Sequence, residues 1–178
     1  METVDHLFQC RASSRQRAIR EIFSTFHDKF RETKTSKLLI SALQTGATAW
    51  VGGTEIPEVE SMGLPDTVLG RLIAAAYTDQ TLLGWNVLFR GFWAKNWRLA
   101  QEEQFRLYRS CERQDTGDRW SGRAQMWFIA LFESLWGLRN EDEHGIDFET
   151  QWLVRETRCG CAIRCRYDKG EELSLIHI

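Results

Sequence analysis

Apolar residues recur at spacings of three and four along most of the chain. Ala18, Ile19, Ile22, Phe23, Phe26 and Phe30 predict an amphipathic helix over 13–30, with Ser13 or Ser14 as its cap. Leu39, Ile40, Leu43, Ala47 and Trp50 predict a second helix over 36–50. Residues 51–64, with Gly52, Gly53, Pro57 and Gly63, have loop chemistry. Pro65 suits a first helical turn, and a third helix follows through Val68, Leu69, Leu72, Ile73 and Ala76, with a break expected at 79–84. Residues 85–112 predict one long helix or two, through Trp85, Leu88, Phe89, Phe92, Trp93, Leu99, Phe105 and Tyr108. Residues 115–121 carry turn chemistry.

A further helix is expected over 122–140. It has Trp127, Leu131, Leu135 and Leu138 on one face and Ile129, Phe132 and Trp136 on the other. A helix apolar on both sides is expected to be buried. A short helix after Ile146 should reach about Arg158. No run alternates in the manner of a strand, and no internal repeat is visible. The expected fold is therefore all-α, an irregular bundle of five to seven helices with disordered ends.

Composition narrows the class further. A length of 178 residues suits one domain, and 2 prolines and 13 glycines argue against disorder or a many-turned β-sandwich. No apolar run nears the roughly 20 residues of a membrane-spanning helix, so no membrane partner is expected. The acidic, polar start lacks the pattern of a secretory leader. A reducing compartment, cytoplasm or nucleus, is the expectation, and the five cysteines are not read as a disulfide framework. Eight tryptophans need a large apolar interior or an adhesive surface.

The net charge of −2 conceals blocks. Residues 11–37 sum to +5, 38–84 to −4, 85–123 to +3 and 124–150 to −5. The blocks could pair with one another, present basic stripes to a polyanion, or be solvated helix faces. Within 85–123, Trp93, Lys95, Trp97, Arg98, Arg106 and Arg109 interleave aromatic and basic groups. They could stack bases and neutralise phosphates. The same spacing also describes a helix whose tryptophans are core and whose arginines are wet.

Glu2-Thr3-x-x-His6-Leu7-x-x-x-Cys10 resembles the second half of the zinc-binding region that follows the polymerase domain in non-LTR retrotransposon reverse transcriptases. The resemblance implies His6 and Cys10 as one pair of zinc ligands, with a Cys-x-x-Cys pair preceding them in a longer parent. Tetrahedral zinc needs both pairs, so His6 and Cys10 are an incomplete half-site here. No cofactor is expected in this stretch of chain, and zinc is expected in the parent. Two further stretches resemble the tails of retrotransposon-like reading frames of diatoms and other microbial eukaryotes. One is Gln80-Thr81-Leu82-Leu83-Gly84-Trp85 with Gly91 and Trp97. The other is Trp136-x-x-Arg139-Asn140-x-x-x-His144-Gly145. The resemblance implies an accessory region, non-catalytic alone, contacting nucleic acid or the rest of its own polyprotein.

On this basis residues 1–12 are a zinc-region remnant, 13–156 a helical domain and 157–172 an irregular tail. Residues 173–178, Leu-Ser-Leu-Ile-His-Ile, resemble a translated sequencing adaptor and are set aside. The Cys159, Cys161 and Cys165 cluster could bind metal, but it fits no standard zinc spacing and also reads as junction sequence.

Catalytic signatures are sparse. The chain has no Asp-Asp pair for a polymerase palm, no phosphate loop, no His-Glu-x-x-His and no Gly-x-Ser-x-Gly. Arg139-Asn140-x-x-x-His144 resembles the Arg-x(4–6)-His signature of HEPN-type ribonucleases, small all-α domains that cut RNA without metal. The resemblance implies His144 as the base toward a 2′-hydroxyl and Arg139 as the stabiliser of phosphorane charge. Asn140 and His144 share a helix face, whereas Arg139 and His144 lie about 140° apart. The alternative is capping, since Gly145 suits a helix stop and a histidine is favoured at a helix C-terminus. A plain helical interaction domain with exposed tryptophans is the third expectation.

Overall fold

Helical periodicity dominates the sequence, and helices are what the described residues form. A computed structural model describes residues 4–9, 13–108, 115–144 and 148–168. In chain order they make α1 (Val4–Gln9), α2 (Ser13–Glu32), α3 (Lys37–Val51), a 3₁₀ turn (Val59–Met62), α4 (Val68–Leu83), α5 (Trp85–Leu88), α6 (Lys95–Leu107), α7 (Gly117–His144) and α8 (Phe148–Asp168). No strand occurs among the described residues. The all-α class is as expected, with one more helix than the upper expectation. The chain divides into two compact units, residues 1–135 and 136–178.

The core of the first unit follows the periodic positions. Ile19, Phe23, Phe26 and Phe30 of α2 are buried, as are Leu39, Ile40, Leu43 and Ala47 of α3. Trp120, Ala124, Phe128, Leu131 and Leu135 form the buried stripe of α7. Its second apolar face is only partly covered, and Met126 on the same helix is exposed. Aromatic rings link the elements. Phe26 meets Trp127 edge-on at 5.0 Å, and Phe89 meets Phe128 at 5.5 Å. Such pairs add about 0.5–1.5 kcal/mol each beyond area burial.

The start of the chain joins this core. Leu7 and Phe8 are 1 % and 0 % exposed, and the Phe8 ring lies 4.3 Å from that of Phe89. The Gln9 side-chain amide donates to the Trp50 carbonyl at 2.9 Å. Residues 4–9 are thus a helix that packs within the first unit.

Several boundaries differ from expectation for local reasons. Helix α4 starts at Val68 and not at Pro65, because Thr67 is extended and its hydroxyl accepts from the Gly70 N–H at 3.1 Å. The helix then runs through the expected break to Leu83. Gln80, which looks like a helix-ending polar residue, is completely buried and bonded on both sides. Its Nε2 donates to the Gly84 carbonyl at 3.0 Å, and its Oε1 accepts from the Ala94 N–H at 3.0 Å. Gly84 (φ 97°) and Gly91 (φ 83°) turn the chain on either side of α5. The described part of the 85–112 stretch accordingly gives two helices, α5 and α6, and residues 109–112 lie outside the described residues. Helix α7 begins five residues early, since the Thr116 hydroxyl accepts from the Arg119 N–H at 3.3 Å and makes the turn chemistry a cap.

In the second unit, α8 extends to Asp168, so 157–168 are helical where an irregular tail was expected. Cys159 and Cys161 are exposed free thiols on α8. A separation of two residues points them to different sides of a helix, so they do not converge on one ion. The Cys165 side chain lies outside the described residues. No helix among the described residues is long and apolar enough to cross a membrane.

Candidate nucleic-acid interface

Helix α2 ends in a Schellman turn. The Thr35 N–H donates to the Phe30 carbonyl at 3.2 Å and the Lys34 N–H to the Arg31 carbonyl at 3.0 Å. Lys34 takes the left-handed conformation (φ 57°) at the position where glycine is usual. Its ammonium reaches Asp115, just before α7, at 2.8 Å. The Trp120 indole N–H donates to the Thr35 hydroxyl at 2.7 Å, and the Thr35 and Thr33 hydroxyls are 2.9 Å apart. Thr33 spends its own proton on the Phe30 carbonyl at 2.8 Å, so the Thr35 hydroxyl donates to Thr33. This relay fastens the start of α7 to the end of α2.

A two-lobed cleft lies over that junction. The larger lobe, about 170 Å³, is lined by Phe30, Trp120, Ala124 and Trp127 together with Lys29, Glu32, Thr33 and Arg123. The smaller, about 40 Å³, shares Glu32, Thr33, Trp120 and Arg123 and adds Lys34, Phe105, Asp115, Thr116 and Arg119. Trp120 is buried, whereas Trp127 is half-buried, with its packing face against Phe26, Phe30 and Phe128. Lys29, Arg119 and Arg123 are exposed. Neither Lys29 nor Arg123 forms an ion pair with another described residue. The cleft therefore offers cations, with the Glu32 carboxylate among them, beside an aromatic wall.

The basic-aromatic residues proposed from sequence are distributed differently. Trp97 is wholly buried and cannot stack a base, because its helical register faces the core with Ala100 and Phe105. Trp93 stacks on Trp120 at 5.1 Å and donates its indole N–H to the Ser121 hydroxyl at 2.9 Å. Both tryptophans are architectural. Arg98 pairs with Asp118 at 3.2 Å. Arg106 donates Nε and Nη2 to the Glu103 carboxylate, each at 2.7 Å. That fork holds Glu103 below the usual carboxylate range and raises Arg106. Lys95 is exposed, and Arg109 lies outside the described residues.

The other candidates are placed as follows. The Arg139 guanidinium sits 5.3 Å over the Trp136 ring and donates to the Asn140 side-chain oxygen at 3.2 Å. Arg139 and Asn140 are thus together in the second unit. The His144 side chain lies outside the described residues. The His6 side chain and Cys10 also lie outside them, and no group of three metal-ligating side chains occurs among the described residues.

The sequence pattern did not single out Lys29, Arg119, Arg123 or Trp127 as a site. Its only trace of them was the pair of basic blocks, 11–37 and 85–123. No ion pair among the described residues joins the first of those blocks to the acidic block 38–84. Comparison with protein-family models, curated proteins and solved structures finds no match to this chain.

Proposed function

We propose that this chain is a non-catalytic helical binding domain that holds single-stranded nucleic acid at the Trp127 cleft. In this proposal it serves as an accessory part of a retroelement reverse-transcriptase-type protein, as the resemblance of its first residues implies. One observation carries the binding role. The ends of two basic blocks, Lys29 from one and Arg119 and Arg123 from the other, line a single aromatic-walled cleft. Cations there would neutralise phosphates and release counterions, while Trp127 offers a ring to an unpaired base.

The test is fluorescence anisotropy with a labelled oligothymidylate over a salt series. Binding should weaken steeply with salt. Lys29→Glu combined with Arg123→Glu should weaken it about tenfold or more at low salt, and should flatten the logarithmic salt slope by roughly 0.7 per lost phosphate contact. Trp127→Phe, which keeps a packed ring, should weaken it without changing the slope. No binding at low salt, or binding indifferent to the double reversal, would overturn the proposal.

A further inference from the structure

The loop between α3 and α4 and the last turn of α4 form a surface whose chemistry is opposite to that of the cleft. Leu82 is 82 % exposed and Leu83 56 %, at the end of a helix whose inner face is fully buried. Ile56, Pro57, Val59 and Leu82 contribute to a shallow groove of about 430 Å³, which Tyr77 and two threonines of α4 complete. The Tyr77 hydroxyl donates to the Pro57 carbonyl at 2.9 Å and ties the loop to the helix. Burial raises the Tyr77 pKa, so this donor stays protonated.

The charge of the groove is one-sided. Glu58 and Glu60 line it, Glu55 stands just before it, and no basic residue lines it. None of these three glutamates forms an ion pair with another described residue. The nearby C-terminus of α4 adds partial negative charge. Uncovered aliphatic side chains beside unpaired carboxylates repel a polyanion, so the groove is not an extension of the cleft. They match a chain that carries the opposite charge around an apolar anchor.

We propose that this groove docks a short segment of another protein in which an aliphatic side chain is flanked by lysine or arginine. The anchor covers Val59 and Leu82, and its cations meet Glu58 and Glu60. Charge complementarity fixes the choice of occupant, because an acidic or neutral segment would leave the carboxylates unanswered.

The test uses the full chain and an acetylated, amidated peptide, Arg-Lys-Leu-Arg-Lys-Leu, in calorimetry at low and high salt. One control peptide replaces each leucine with serine, and another replaces each cation with glutamate. The first peptide should bind, with affinity that falls as salt rises, and each control should bind about tenfold more weakly or less. Leu82→Ser, or Glu58→Lys with Glu60→Lys, should each weaken binding about tenfold. The isosteric pair Glu58→Gln with Glu60→Gln should give a smaller loss. All of these positions are on the surface, and unchanged helical circular dichroism confirms that the variants fold. The proposal falls if the peptide fails to bind at low salt or binds the variants as well as the parent. It also falls if sedimentation shows a homodimer that Leu82→Ser dissociates, since a second copy would then occupy the groove.

Discussion

Thr35 bears more of the cleft's architecture than its size suggests. It is buried, accepts the Trp120 indole proton and passes its own to Thr33. Thr35→Val keeps the shape and leaves that indole N–H unpaired in the interior, which should cost about 1–3 kcal/mol in urea unfolding. Thr35→Ser, which keeps the hydroxyl, should cost less. Neighbouring Lys34 adopts the left-handed conformation that glycine adopts without strain, and it holds Asp115. No pattern along the chain marks Thr35 or Lys34, because their partners are 85 and 81 residues away. Phe23, Phe26 and Phe30 were legible as core because their partners are implied by the helix period itself.

Among the elements, α4, α5 and α6 owe their joint to Gln80, Gly84 and Trp85. Gln80 binds the backbone on both sides of α5, and the Trp85 ring lies directly over Gly46 of α3. A Cβ at Gly46 would overlap that ring. Alanine in place of glycine ordinarily strengthens a helix interior by about 1 kcal/mol. At Gly46 the clash outweighs it, so Gly46→Ala should lower stability by about 1–3 kcal/mol in thermal or denaturant unfolding. Gln80, Gly84 and Trp85 therefore each have a packing role. A period count finds α4 from Val68 through Ala76, but it ends the helix early because it cannot foresee that a polar Gln80 will find two buried partners. It opens α7 late for the related reason that Thr116 reads equally as a turn residue or as a cap.

For the molecule as a whole, two facts about distribution matter most. Leu7 and Phe8 of the first described helix belong to the first unit's core. Phe8, with Trp50, Phe89 and Phe132 around it, should cost about 3–5 kcal/mol when changed to alanine, as read by the unfolding midpoint. Ordinary termini tolerate such changes, so an unaltered midpoint would show that α1 does not pack as described. The second fact is that no ion pair among the described residues joins the basic block 11–37 to the acidic block 38–84. Basic groups gather at the Trp127 cleft, and acidic ones at the groove beside Leu82.

Helix class, most helix positions and the segregation of charge follow from local order along the chain, since a 3.6-residue period and a run of like charges are properties of neighbours. Which tryptophans are covered, which arginines are paired and which basic stretches share a cleft depend on residues far apart in the chain. Trp97 stands between Asn96 and Arg98 and Trp127 between Met126 and Phe128, yet the first is sealed and the second lines a cleft, because burial is settled by what packs across from a helix face and not by the face alone.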